Sequence, residues 1–244
     1  MSDSIVIIPT YNERENIENI IKAVFSLEKD FHILIVDDGS PDGTGNIVKA
    51  LQKEFSNRLF IEERTGKLGL GTAYIHGFRW SLKHGYDYIF EMDADFSHNP
   101  KDLERLYKAC AKDGADMSVG SRYIKGGKLE NWPIDRILLS YGASLYVRFI
   151  TWLPVKDATA GFVCYTRKVL ENLNLEKIKF IGYAFQIEMK FATHSLGFKI
   201  KEIPITFTDR VEGVSKMSKS IVKEAIFGVL KMKWESFSKN YGEK

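Results

Sequence analysis

The stretch Tyr88-Ile89-Phe90-Glu91-Met92-Asp93-Ala94-Asp95-Phe96-Ser97-His98-Asn99-Pro100 decides how the rest of the chain is read. An apolar run from Tyr86 to Met92 breaks off into two carboxylates one residue apart, and a polar loop follows at once. This pattern predicts a buried strand with Asp93 and Asp95 at its carboxyl end, the edge where open α/β sheets bind ligands. On an extended chain, two acids so spaced can point the same way and share one divalent cation. Their hard oxygen atoms suit Mg²⁺ or Mn²⁺, which usually also hold water and substrate phosphates. The same residues also make an ordinary turn or helix start, since Asp is common after strands and Asn99-Pro100 opens a helix well.

Outward from that strand the chain alternates. Ile5-Val6-Ile7-Ile8 and His32-Ile33-Leu34-Ile35-Val36 are short apolar runs of the kind buried on both sheet faces. The first ends at Pro9-Thr10-Tyr11-Asn12-Glu13 and leads to a helix with Ile17, Ile20, Ile21 and Val24 on one stripe. The second ends at Asp37-Asp38-Gly39-Ser40-Pro41-Asp42-Gly43-Thr44, where Ser40 and Pro41 suit an N-cap and first helical turn. Leu59 to Ile61 predicts a third strand, and Gly66 to Ala73 a glycine-rich lead into a helix reaching about His84. Strands and helices alternating in this way predict a mostly parallel, Rossmann-like sheet flanked by helices. Right-handed crossovers then bring Tyr11, Asp37, Asp38, Lys67, Asp93 and Asp95 to one edge.

Later elements are sparser. Asp116 to Tyr123 predicts a strand delivering Arg122 to its end, and Lys125 to Pro133 reads as a mobile basic loop. Asp135-Arg136 opens a helix containing Ser140 and Arg148. Gly161 to Thr166 predicts another strand, Gly182 to Met189 a helix start, and Lys199 to Pro204 the last strand. From Ser220 onward, apolar positions three and four apart with lysines beside them predict an amphipathic helix, one that either packs on the sheet or lies in a membrane interface. Ile137 to Pro154, rich in Leu, Tyr, Phe and Trp, is a second interfacial segment. The expected division is a catalytic domain over residues 1–219 and this helix over 220–244.

Composition narrows the function classes. The 244 residues are 44% hydrophobic and 27% charged, ordinary for a globular protein, and a net charge of +3 is too small to argue for nucleic acid. Cys110 and Cys164 lie far apart in apolar contexts and read as reduced core residues. No basic leader segment opens the chain, and no apolar run reaches the ~20 residues of a spanning helix. These features predict a cytoplasmic protein with at most a peripheral membrane contact. Gly69-Leu70-Gly71-Thr72-Ala73-Tyr74 lacks the third glycine of the dinucleotide fingerprint, and no Walker lysine motif is present, so bound phosphates would be neutralised by metal and side-chain cations.

Each constellation has a bland counterpart. Asp37-Asp38 is turn chemistry as well as a pair of acceptors for a base, and Tyr11 and Glu13 suit a helix start as well as a stacking face and a carboxylate for a hydroxyl. Arg210, Lys216 and Lys219 sit in a loop with little apolar content, either solvated or folded back over a diphosphate. Arg122 and Arg136 form a further pair suited to gripping a phosphate in bidentate fashion.

Taken in order, Pro9 to Glu13, Asp37 to Thr44, Leu68 to Tyr74, Met92 to Asp95, Ser97-His98 and Gly120 to Tyr123 resemble family 2 glycosyltransferases, in particular the dolichyl-phosphate (polyprenol monophospho-) mannose synthases. Asp157 to Phe162, Gly182 to Glu188 and Asp209 to Lys216 continue the resemblance, which spans about residues 4 to 219. It implies a GT-A fold, GDP-mannose as donor, Mg²⁺ or Mn²⁺, and a polyprenyl or dolichyl phosphate acceptor. It also implies roles: Pro9, Tyr11, Glu13, Val36, Asp37 and Asp38 for the guanosine; Asp93, Ala94 and Asp95 for ribose, diphosphate and metal; Arg210 and Lys216 for the diphosphate; Arg122, Arg136 and Ser140 for the acceptor phosphate. Lys67 on the same edge joins the substrate-binding set. Ser97 belongs to the metal shell of relatives, although Phe96-Ser97 stands here where they carry Leu-Ser or Leu-Gln. The resemblance further implies a peripheral place on the cytoplasmic face of a membrane, with small membrane-anchoring subunits as candidate partners. Transfer of another sugar on the same fold, and a non-catalytic membrane-associated binding subunit, are the competing readings.

Overall fold

In β1 (Ser4–Thr10), Ile5 and Ile7 face one hydrophobic layer while Val6 and Ile8 face another, so the strand is buried on both sides. A computed structural model describes residues 2–182, 184–209, 219–236 and 241–242, with the backbone alone for 219–226. After β1 come α1 (Ile17–Phe25), β2 (His32–Asp37), α2 (Thr44–Leu51), β3 (Leu59–Glu63), α3 (Leu70–Lys83) and β4 (Tyr88–Glu91). The second half runs α4 (Asp102–Ala111), β5 (Met117–Ser121), β6 (Lys128–Glu130), α5 (Ile134–Thr151), β7 (Val163–Thr166) and α6 (Arg167–Asn172). It closes with α7 (Ala184–Ser195), β8 (Ile200–Pro204), β9 (Thr206–Thr208) and α8 (Lys219–Glu235).

The seven-stranded sheet has the order β3-β2-β1-β4-β7-β5-β8. β1 pairs in parallel with β2 and β4, and β2 with β3, which sets four carboxyl strand ends along one edge. The expected mixed, mostly parallel α/β architecture is therefore present. β7 is the exception, running antiparallel between β4 and β5. Residues of α1, α2 and α4 pack with Val6, Ile8, Ile33 and Ile35 on one face, and those of α3 and α7 with Ile5, Ile7, Leu34 and Val36 on the other. Cys110 and Cys164 are buried free thiols, as their apolar contexts indicate.

Three local readings are corrected. Ser40 does not cap α2, which starts at Thr44 behind a left-handed Gly43; its hydroxyl and amide turn back to Asp37 instead. Residues 125–133 contain β6, a three-residue strand paired in parallel with β9. For the same reason β8 is not the last strand.

Gly77 sets how closely α3 approaches the sheet. A Cβ there would stand 2.7 Å from Cγ2 and 2.9 Å from Cδ1 of the fully buried Ile7. The general helix preference for alanine over glycine is thus outweighed by overpacking. Gly77→Ala is expected to destabilise the protein by about 1–3 kcal/mol in urea denaturation. An unchanged midpoint would show that Ile7 yields without cost.

Candidate active site

The carboxyl ends of β1, β2 and β4 bring the first groups together. Thr10 is in register with Asp37, and its hydroxyl donates to Asp37 Oδ1 at 2.7 Å. The same oxygen accepts from Ser40 Oγ at 2.6 Å, and Oδ2 accepts from Ser40 N at 2.9 Å. Asp37 therefore shapes its own turn. Asp38 is held by a residue that the sequence reading did not single out: Arg64 Nε donates to its Oδ1 at 2.6 Å, and Nη2 pairs with the same oxygen. Arg64 Nη1 reaches Thr72 Oγ1 at 2.8 Å, and Leu68 N donates to Asp38 Oδ2 at 3.2 Å. One guanidinium thus staples the acid that follows β2 to the start of α3. Val36 is wholly buried beneath the turn, and Pro9 lies opposite it in the β1–β2 register.

Tyr11 and Glu13 follow β1 on the same edge. The Lys67 ammonium lies 4.9 Å from the centre of the Tyr11 ring, so these two candidate substrate residues meet. The Glu13 amide donates to Thr44 Oγ1 at 3.1 Å, which ties the β1 loop to α2. Gly71 serves packing: a Cβ there would strike Phe185 at 2.7 Å and the Phe180 carbonyl at 2.8 Å.

At the end of β4, Asp93 is half-buried, whereas Ala94, Asp95 and Ser97 are buried. Asp95 Oδ1 accepts from Ser97 N at 3.0 Å, closing a tight turn over Phe96, whose φ is +58°. Behind it lies His98, buried, stacked on Phe162 at 4.8 Å and edge-on to Phe207 at 5.2 Å. Burial pushes its pKa down to about 4 against the pull of Asp95, so the imidazole is neutral at pH 7. Beneath the acids, Glu91 accepts from Gln186 Nε2 at 2.7 Å, and Lys190 Nζ donates to the Ala160 carbonyl at 2.6 Å. Burial raises Glu91 to about 8 and lowers Lys190 to about 8. The hydroxyl of Tyr74 is also buried here, its pKa raised by burial and by Asp93.

The two predicted phosphate-gripping arginines differ. Arg122 Nε and Nη2 each lie 2.7 Å from an oxygen of Asp157, its amide adds a bond at 2.9 Å, and Nη2 reaches Thr159 Oγ1 at 2.9 Å. The side chains of this pair are 7% and 0% exposed. Burial works against the Arg122 charge, but Asp157 outweighs it and holds the pKa above the usual value. Arg136, in the first turn of α5, meets Asp209 Oδ1 through Nη1 at 2.8 Å while lying 4.1 Å over the Trp132 ring. Ser140 follows one turn later, beside Tyr123. The arginines connect to the acids through an aromatic layer, because Phe207 touches His98, Trp132 and the Arg122 guanidinium. Arg210 and Lys216 lie outside the described residues.

The donor set at Asp93 and Asp95 fits a hard divalent cation. Both offer carboxylate oxygens at a strand end, and among the described residues no cluster of three His, Cys, Asp or Glu side chains is suited to enclosing a metal. An ion held there would complete its shell with water and phosphate oxygens, the usual habit of Mg²⁺.

With this geometry in view, the family model "Glycosyl transferase family 2" matches residues 5–173, well over half of the chain and all the elements from β1 to α6. The chain belongs to glycosyl transferase family 2. Among curated relatives, the polyprenol monophosphomannose synthase of Mycolicibacterium smegmatis is 48% identical over 93% of this chain and 85% of its own. The undecaprenyl-phosphate mannosyltransferase of Micrococcus luteus is 43% identical over 98% of both chains. Glucosyl-3-phosphoglycerate synthase of Mycobacterium tuberculosis, solved with Mn²⁺, UDP and glucosyl-3-phosphoglycerate, shares the fold at a TM-score of 0.69 and 16% identity. That match covers 95% of this chain and 80% of the neighbour.

Within the family 2 frame, the acids at the β2 and β4 ends were legible from where the apolar runs stop. Arg64, Asp157, Trp132 and Asp209 carry no periodic signal and join the site only through contacts distant in sequence. In the motifs Asp157 to Phe162 and Asp209 to Lys216 the leading acid has no role visible without its arginine partner.

Proposed function

We propose that this family 2 chain transfers mannose from GDP-mannose to a polyprenyl monophosphate of dolichyl type, with inversion, releasing GDP and a β-linked mannosyl phosphate lipid. The observation that carries this reading is the placing of two acidic strand ends, Asp37-Asp38 and Asp93-Ala94-Asp95, on one sheet edge, with the Arg136 seat across one aromatic layer. Mannosyl transfer to a polyprenyl phosphate is what the names of both curated relatives describe.

The attacking phosphate monoester is already anionic at neutral pH, so its activation requires no strong general base. The chain's tasks are positioning and charge. Tyr11, Glu13 and the Asp37-Asp38 turn seat the guanosine, with Pro9 and Val36 as the apolar floor and Lys67 beside Tyr11. Asp93 serves ribose and diphosphate, Asp95 is the first metal ligand, and Ser97 supports it through its amide. A divalent cation, Mg²⁺ or Mn²⁺, would supply Lewis-acid stabilisation of the departing diphosphate. Arg210 and Lys216 add cationic charge there, preorganised donors being worth most where charge develops. Arg136 and Ser140 hold the acceptor phosphate. Arg122, already forked onto Asp157, shapes that seat.

A membrane contact on the cytoplasmic face accompanies the lipid acceptor. No described helix is long and apolar enough to cross a membrane. Ile134, Leu138, Phe149 and Trp152 of α5 and its end, with Phe227 and Trp234 of α8, are more than 60% exposed. The two helices touch, and Lys233 of α8 lies 4.5 Å over the Trp152 ring. Such a ridge of aromatic and aliphatic side chains with adjacent lysines suits a headgroup boundary. Replacing Phe149, Trp152 and Trp234 together with serine is expected to reduce flotation with anionic liposomes severalfold; undiminished flotation would remove this ridge from the membrane contact. Small membrane subunits would dock on the same side.

Radiolabel transfer from GDP-mannose to dolichyl and undecaprenyl phosphates in detergent tests the function. Transfer from GDP-mannose supports it. Transfer from UDP-glucose alone would move the chain to the sister activity on the same fold. No nucleotide binding by calorimetry, with or without Mn²⁺, would favour a non-catalytic binding subunit.

A further inference from the structure

We propose that Asp209 occupies the acceptor-phosphate seat as a resident carboxylate, which the phosphate displaces from Arg136 when it binds. This rests on the acceptor reading of Arg136 given above. The contrast with Arg122 carries it. Arg122 is forked onto a wholly buried Asp157, bonded further to Thr159, and has no room to change partners. Arg136 meets one oxygen of Asp209, and the two side chains are 23% and 28% exposed. Its Nε is buried with no hydrogen-bond partner among the described residues, so the present partners leave a donor unused. An ion pair that is partly open to solvent is weak.

The surroundings allow exchange without rearrangement. The Trp132 ring, its centre 4.1 Å from Arg136 Cζ, packs on the guanidinium whether or not Asp209 is present. The Asp209 backbone is pinned separately, its amide donating to the Glu130 carbonyl at 3.0 Å beyond the end of β9. The backbone position of Asp209 therefore does not depend on the ion pair. A phosphate monoester brings up to twice the negative charge and three acceptor oxygens, and matches a guanidinium in bidentate fashion where the carboxylate makes one bond. Asp209 thus neutralises Arg136 until acceptor arrives, and lowers acceptor affinity by competing with it.

The test is steady-state transfer to geranylgeranyl phosphate in detergent, with inorganic phosphate as a competing anion. Asp209→Asn keeps the shape and a hydrogen bond to Arg136 but removes the competing charge. It is expected to lower the acceptor KM, and the inhibition constant for phosphate, roughly two- to fivefold, the span of a partly exposed ion pair. The KM for GDP-mannose should stay constant. Asp209→Ala should act in the same direction, and agreement between the two guards against a local folding effect. An acceptor KM unchanged or raised in both variants would overturn the proposal, since a purely structural pair gives that result. Arg136→Ala separates the two levels. If it weakens acceptor binding while the Asp209 variants do not strengthen it, only the competition is wrong. If it leaves the acceptor KM unchanged, the acceptor reading and the competition both fall.

Discussion

Asp95→Ala is expected to abolish transfer, lowering kcat by about a thousandfold or more, the scale of losing a major stabiliser of leaving-group charge. The protein should remain folded. Within its own turn Asp95 accepts the bond from Ser97 N at 3.0 Å, and a bond of that kind is worth about 1 kcal/mol. Asp95→Asn refines the result, because it keeps an acceptor for Ser97 while removing the charge that would attract a cation. Both variants should lose the Mn²⁺ dependence of GDP binding in calorimetry while keeping their urea midpoint close to that of the parent. A variant that transfers mannose at the parent rate would end the metal role of Asp95.

Asp157→Ala is expected to have the largest effect on stability, about 3–5 kcal/mol, the cost of stranding a buried charge. For a domain of this size that corresponds to a Tm lowered by roughly 6–20 °C. Asp157 accepts three bonds from Arg122, two from the guanidinium at 2.7 Å and one from the amide at 2.9 Å. The two partners are not equivalent. A guanidinium left alone cannot shed its proton, whereas a carboxylate left alone can take one up. Arg122→Ala should therefore destabilise less than Asp157→Ala, and the Arg122→Met/Asp157→Leu double substitution less than either, since neither charge is then stranded. Equal losses from the two alanine variants would mean that water reaches the pair. Activity should fall with Asp157→Ala even at temperatures where it stays folded, because Arg122 borders the same aromatic layer as Arg136.

What was legible in the sequence followed burial. Ile5 to Ile8 and His32 to Val36 announce strands because both of their faces are covered, and the polar residues after them mark the sheet edge, although the same residues also suit an ordinary turn. β6 and β9 were missed because each has three residues and neither is fully buried, so period-two alternation has no length in which to appear. The antiparallel insertion of β7 was not legible either. Its Val163 to Tyr165 run reads as a buried strand of either direction, and direction is fixed only by its pairing with β4 and β5. In the site, residue types at strand ends were readable one at a time, but their partners were not. Arg64 is one basic residue in a basic loop until the fold brings it to Asp38, 26 positions away.

The left-handed turn at Phe96 bears on the entropy of ligand binding. A bulky residue at a φ of +58° costs of order 1–2 kcal/mol that a glycine would not. Glycine would, however, leave the segment between Asp95 and Ser97 many more conformations in the unfolded chain. With phenylalanine there, and with the Asp95–Ser97 bond and the His98–Phe162 stack on its far side, the loop loses its freedom during folding. On the proposed function, a cation and a diphosphate would meet carboxylates already in place, and little ordering would remain to be subtracted from their affinity.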